Sequence, residues 1–296
     1  MLFHRSLPSR HLLYEFRVAG LPGTYGHLLS NVAQAIAWPE AYWRVDHDKQ
    51  VVTLLGANTA ERTRWMEETL AGERSKGTFA VLGLWTGEQC PVHGPNRELV
   101  LSIERAAVPL LGIVAYGVQL LAYTESQDGL LRVWIARRAM TKRSFPGMLD
   151  STVGGTLVTG ETPLECVARE AEEEASFPRE LTLRGAVAVG TISYLCLTDE
   201  RCEGESGLLC PEIMFTYEMK VAPDVVPVPG DGEAEGFTLM SVPELKAALA
   251  RGEFAPTNGE VVLDFFIRHG ILTYENEPNY IEIVARLHRS HGLPAA

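Results

Sequence analysis

Positive charge is scarce in this chain. Its 26 Lys and Arg stand against 38 Asp and Glu, a formal net charge of −12. So acidic a surface is unsuited to nucleic acid or an anionic membrane, and no partner of either kind is expected. No apolar run reaches membrane-spanning length. Cysteine is sparse and odd in number. Cys90, Cys166, Cys196, Cys202 and Cys210 lack C-x-x-C spacing, which argues against a disulfide scaffold or zinc ribbon and suits reduced thiols in the cytoplasm. His27, His47 and His93 show no ligand spacing with them. Internal repeats and low-complexity tracts are also missing. Acids are absent before Glu15, so the basic opening reads either as a short organelle-targeting segment or as the first turn of a domain.

With 46% hydrophobic residues over 296 positions, the chain can bury a sizeable core and is long enough for two domains. Residues 1–110 read as a mixed α+β unit, 111–275 as a second unit and 276–296 as a tail. In the first, Ser30 to Trp38 reads as a short helix. Strand-like alternation flanks a His47-Asp48-Lys49 turn, and Asn58 caps a helix running to Glu73. In the second, Ile113–Thr124 and Leu130–Arg137 form a strand pair around Ser126–Gly129. Further strands are expected near Gly185–Leu197 and Glu212–Val221, and helices over Ser241–Arg251 and Asn258–His269. The Pro-, Gly- and acid-rich stretch from Pro223 to Gly236 reads as a loop.

The densest chemistry lies between these strands. After Gly154-Gly155 and Gly160 come Glu161, Arg169, Glu170, Glu173 and Glu174. Thr162 suits the N-cap, Pro163 the first helical position, and Glu165 completes a capping box. At about 100° per residue, Leu164, Val167, Ala168, Ala171 and Ala175 form one apolar stripe, with Glu170, Glu173 and Glu174 together along its edge. Glu172 points elsewhere. Carboxylates so crowded repel one another unless a cation sits among them. Mg²⁺ is held by a few carboxylates and substrate phosphates, so a diphosphate brought to this helix would need such an ion. Glu170, Glu173 and Glu174 are the candidate ligands. One of them, or an acid from elsewhere, is the candidate general base. Arg169 is read as an orienting partner for a carboxylate, and Gly154 and Gly155 as letting backbone approach the site.

This stretch resembles the Nudix box, G-x5-E-x7-R-E-U-x-E-E-x-G-U, where U is a bulky aliphatic. Six of its seven fixed identities are present, with Ser176 in place of the last glycine. Further segments are similar to the thiamine-pyrophosphokinase-related subfamily of Nudix hydrolases: Trp43–Lys49, Glu104–Gly117, Trp134–Lys142, Phe145–Asp150 and Leu263–Leu272. The resemblance implies an α/β Nudix α/β/α sandwich with a mixed sheet, preceded by a smaller α+β N-terminal domain. It also implies Mg²⁺ or Mn²⁺ as cofactor. The implied activity is release of phosphate from thiamine diphosphate, especially its oxy and oxo analogues, leaving the monophosphate.

Family members commonly recruit another glutamate from beyond the helix. Glu233 and Glu235 resemble that element, Glu235 being the added metal ligand expected and Glu212 a rival; each also reads as plain surface. Lys142 and Arg143 precede the glycine loop and are candidates to meet phosphate, with Glu161 beside them. Trp38, Trp43, Trp65, Trp85 and Tyr194 read as core, or as stacking surfaces for an aromatic ring. Rival readings are hydrolysis of prenyl or nucleoside diphosphates and a non-catalytic ligand sensor. Isopentenyl-diphosphate isomerase chemistry is disfavoured because no cysteine lies between Cys90 and Cys166.

Overall fold

The structure is a computed structural model describing residues 12–127 and 129–293. The basic opening segment, up to residue 11, therefore lies outside the described residues, as does Asp128 in the expected Ser126–Gly129 turn.

The chain opens with β1 (Leu13–Val18), β2 (Gly26–Leu29), α1 (Ser30–Ala35), β3 (Trp43–Asp46) and β4 (Val51–Leu54), the strands forming one sheet in the order β2-β1-β4-β3. The expected β3–β4 hairpin is present. α2 (Thr59–Lys76) starts where Asn58 accepts the Glu61 N–H at 3.0 Å. It packs on the two-stranded sheet of β5 (Gln89–His93) and β6 (Leu99–Glu104), which leads into the short α3 (Val108–Leu111). Their shared core includes Phe16, Leu28, Trp43, Met66, Leu82 and Leu101. Alternation did not announce β1, β2 or β5, each only four to six residues long.

The second part contains β7 (Ala115–Glu125), β8 (Leu131–Arg138), β9 (Leu149–Asp150), β10 (Val153–Thr156), α4 (Pro163–Ala175), α5 (Arg179–Gly185), β11 (Ala186–Leu197), β12 (Leu209–Lys220), β13 (Ala234–Ser241), α6 (Val242–Arg251), α7 (Pro256–Arg268) and α8 (Tyr280–Leu287). The sheet runs β11-β12-β7-β8-β13, with β10 on β7 and β9 on β8; β12 and β7 are parallel and the other pairs antiparallel. β7 is an almost unbroken buried run because both faces are covered. Its even residues Val118, Leu120 and Ala122 pack with Val167, Ala171 and Ala175 of α4. Odd Leu121 faces Leu245, Val262 and Phe265 of α6 and α7. This is the expected mixed-sheet α/β/α sandwich.

Two stretches differ from expectation. β13 begins at Ala234, inside the stretch read as loop to Gly236, and is held there by antiparallel pairing with β8. Residues 276–296, read as a tail, carry α8, whose Leu287 is buried in the core shared with α6 and α7.

Candidate active site

α4 begins as its sequence dictates. The Glu165 N–H donates to Thr162 Oγ1 at 3.3 Å, and the Thr162 N–H donates to Glu165 Oε2 at 2.9 Å. Cys166, Val167, Ala168, Ala171 and Ala175 are buried against the sheet. At the far end Ser176 adopts the left-handed backbone that the box normally gives to glycine (φ 54°), while the Phe177 N–H returns to the Ala171 carbonyl at 3.0 Å. Phe177 itself fills the core, so burial of its ring holds a turn that serine tolerates poorly.

The apolar stripe carries the carboxylates to the sheet edge at β10. Arg169 grips Glu161 with two parallel bonds of 2.9 and 3.0 Å, and its third nitrogen donates to Glu170 at 2.9 Å and Glu173 at 3.2 Å. Such a planar fork suits orientation better than substrate contact. The Glu170 carboxyl occupies the space a side chain at position 155 would need; a Cβ there would lie 2.1 Å from its carboxyl carbon. Only glycine lets this carboxylate reach the strand. Beside it, Glu174 Oε2 accepts the Gly154 N–H at 3.1 Å. Glu173 is half exposed, and Glu172 faces solvent.

The additional glutamate at this edge is Glu233, not Glu235. Gly230 crosses the end of α4, donating its N–H to the Glu174 carbonyl at 3.2 Å, so close that a Cβ there would meet the Glu173 carbonyl at 2.0 Å. This crossing delivers Glu233 to Glu174 and Lys142. A bulge between Ala234 and Gly236 then displaces Glu235, which accepts the Met140 N–H at 3.3 Å away from the cluster. Lys142 joins the acidic edge through its ion pair with Glu233. Arg143 does not: it reaches the Leu84 carbonyl at 3.1 Å and Glu203 at 3.7 Å.

The charge balance shows strain at two positions. Burial pushes the Glu170 carboxyl up to about 7; Glu173 and Glu233 add to the rise, and Arg169 opposes it. Burial also raises Glu174 well above the usual range, with the charges of Asp150 and Glu170 contributing. At the more exposed Glu233 partial desolvation acts in the same direction, but the Lys142 hydrogen bond and charge bring it below its ordinary value. Among the described residues no three His, Cys, Asp or Glu side chains are already gathered as a metal cage. The donor chemistry nevertheless fits a hard divalent cation. Glu170, Glu173, Glu174 and Glu233 are all oxygen donors, and the burial that raises Glu170 and Glu174 is what a nearby cation would oppose.

Beside this edge lies a cavity of about 450 Å³. Asp150, Gly154 and Gly155 line it and so join it to the acidic cluster. Asp150 pairs with Arg138 at 2.5 Å and accepts from Asn258, which in turn accepts from Gln119 at 3.3 Å. Sequence reasoning did not single out Asp150, Gln119 or Asn258: they are ordinary residues until β7, β9 and α7 meet. Of the five candidate aromatics, only Tyr194 lines the cavity. Trp38 and Trp43 pack edge to face, Trp65 stacks on Tyr42, and Trp85 lies under Arg74.

Residues 116–265 match the family described as NUDIX domain, and residues 3–115 match a domain of unknown function, DUF4743. An uncharacterized protein of Saccharomyces cerevisiae is 34% identical over 254 residues, covering 84% of this chain and 70% of that protein. Nudix hydrolase 20, chloroplastic, of Arabidopsis thaliana is 36% identical over 193 residues, or 65% of this chain. Nudix hydrolase 24, chloroplastic, of the same plant is 34% identical over 229 residues, or 77% of this chain. The matches span 49% and 59% of the two plant proteins. Among solved structures, one from Deinococcus radiodurans covers 60% of this chain and 98% of its own at 25% identity, with a TM-score of 0.45.

Proposed function

The chain belongs to the Nudix hydrolase family, and from that premise we propose that it cleaves the diphosphate of a small organic diphosphate, thiamine diphosphate and its oxidised analogues first. One observation carries the reading: a half-buried carboxylate cluster meets glycine backbone at the wall of a cavity sized for a small organic group. Family members generally use divalent metal ions, and Glu170, Glu173, Glu174 and Glu233 are the residues that would hold one here. Mg²⁺ or Mn²⁺, when bound, neutralises phosphoryl oxygens and acidifies water. Arg169 fixes the rotamers of Glu170 and Glu173. Gly154 and Gly155 leave the phosphate end free to approach the cluster, and Lys142 adds positive charge at its rim. The proton of the attacking water passes to a carboxylate of this cluster. The segments similar to the thiamine-pyrophosphokinase-related subfamily support thiamine as the organic end. The chloroplastic names of the plant relatives add an organelle to the cytoplasm as a setting for the activity.

The test is phosphate release by purified protein with Mg²⁺, or with chelator, from thiamine, prenyl and nucleoside diphosphates. Turnover should be highest for a thiamine compound and abolished by chelation. Glu173→Gln and Glu174→Gln should each slow it by more than about tenfold. Near wild-type turnover in both variants would remove the site assignment, and preference for a prenyl chain would replace the substrate.

A further inference from the structure

The cavity is not walled by the Nudix domain alone. Val81, Leu84, Thr86, Arg105 and Val108 line it from the N-terminal side, all within the part that matches the domain of unknown function. Arg105 stands just after β6 and shares the cavity wall with Gly154 and Gly155. Its charge also acts on Glu233, after desolvation, the Lys142 contacts and the Glu174 hydrogen bond. The guanidinium therefore lies within electrostatic reach of the acidic edge.

A buried acid fixes the backbone that carries it. The Glu104 carboxylate accepts the Thr86 and Gly87 N–H groups at 2.9 and 3.0 Å, the Thr86 hydroxyl at 3.1 Å and the Ala106 N–H at 3.3 Å. These bonds tie the turn before β5 to the segment after β6. The Arg105 N–H adds to the tie by donating to the Glu88 carbonyl at 2.9 Å. The same hairpin grips the loop that leads into α4. The Thr159 N–H donates to the Gln89 carbonyl at 2.7 Å, and the Thr159 hydroxyl bonds Ser102 Oγ at 2.9 Å. Arg105 and the approach to the acidic helix are thus held in one frame.

The side chain itself is held more loosely. Arg105 pairs with Glu88 at 2.6 Å, and the two side chains are 44% and 42% exposed. An ion pair so open to water contributes little and is readily exchanged. A phosphate offers the guanidinium two parallel charge-assisted bonds instead. Arg138 lines the cavity too, but it is committed to Asp150 and, by bonds of 2.7 and 3.0 Å, to the Ser144 carbonyl.

We propose that Arg105 is a substrate-binding residue contributed by the N-terminal domain, exchanging Glu88 for the phosphate end of the diphosphate. The proposal rests on the diphosphatase reading, which puts that end at the acidic edge. It makes the N-terminal domain a working part of the site. Because Arg105 meets phosphate, it serves a charged or a neutral organic end alike.

Binding tests this apart from turnover. Methylenediphosphonate, a diphosphate mimic with an uncleavable bridge, is titrated calorimetrically into the full-length protein with Mg²⁺. Arg105→Ala should bind it at least about tenfold more weakly than wild type, as expected for loss of a charge-assisted contact. Arg105→Lys should recover part of that loss, keeping the charge without the fork. Glu88→Gln, which releases the arginine, should bind at least as tightly as wild type. Equal affinity in wild type and Arg105→Ala would overturn the proposal, as would a wild type that does not bind. Equal weakening in Arg105→Ala and Glu88→Gln would overturn it in favour of a structural ion pair. Phosphate release from organic diphosphates is measured separately. Turnover with no Arg105 dependence of binding keeps the hydrolase reading and removes this one; Arg105-dependent binding without turnover does the reverse.

Discussion

Glu260→Gln isolates the cost of burying an acid away from the Nudix helix. The substitution keeps the shape and removes the charge. In the folded protein the Glu260 carboxyl is pushed up to about 7, first by burial and then by the Glu212 charge, against 4.5 for the free side chain. At about 1.4 kcal/mol per tenfold change, that gap corresponds to roughly 3 kcal/mol. Partial access to solvent reduces the expectation to about 1–3 kcal/mol. The sign follows from proton binding. Below pH 4.5 both states hold the proton, and wild type and variant should be equally stable. From 4.5 to about 7 the folded state keeps a proton that the unfolded chain has released, so wild-type stability falls as pH rises. Above that window the full cost is present. Denaturant unfolding at pH 5 and pH 8 measures it: Glu260→Gln should be markedly more stable than wild type at pH 8, with the difference shrinking towards pH 5. The melting temperature at pH 8 should rise by several degrees. A pH-independent difference, or a less stable variant at pH 8, would refute the reasoning.

Two further substitutions probe the helix edge. Gly155→Ala would drive a methyl into the Glu170 carboxyl, which lies 2.1 Å from the ideal Cβ position. Turnover should fall about 100-fold, as for a catalytic group displaced by an ångström, with the circular dichroism spectrum retained; wild-type turnover would show that the carboxylate can stand elsewhere. Ser176→Gly should relieve the left-handed residue at φ 54° and stabilise the fold by about 0.5–1 kcal/mol in thermal unfolding. A loss of stability would mean that the Ser176 side chain makes a contribution the backbone argument omits.

Much of the site was legible because its parts are close in sequence. Thr162 and Glu165 cap the helix from three residues apart, and the stripe from Val167 to Ala175 follows the helical period. Glu170 and Glu174 stand at the edge that this period assigns them, and Arg169 meets Glu161, Glu170 and Glu173 within one or two turns. The β3–β4 hairpin and the capped start of α6 were readable for the same reason. The choice between Glu233 and Glu235 was not: a bulge set by β8, almost a hundred residues earlier, decides which carboxylate faces the cluster. Alternation likewise could not say that Arg143 would be drawn to Leu84 and Glu203 while Lys142 met Glu233.

By itself the sequence determined an acidic helix edge and the layered fold that buries its other side, because capping and periodicity act over a few residues. Only the tertiary structure decided what that edge would face. The cavity and the Asp150–Asn258–Gln119 chain arise from strand register and helix placement, which bring Asn258 to partners more than a hundred positions away and leave no local trace.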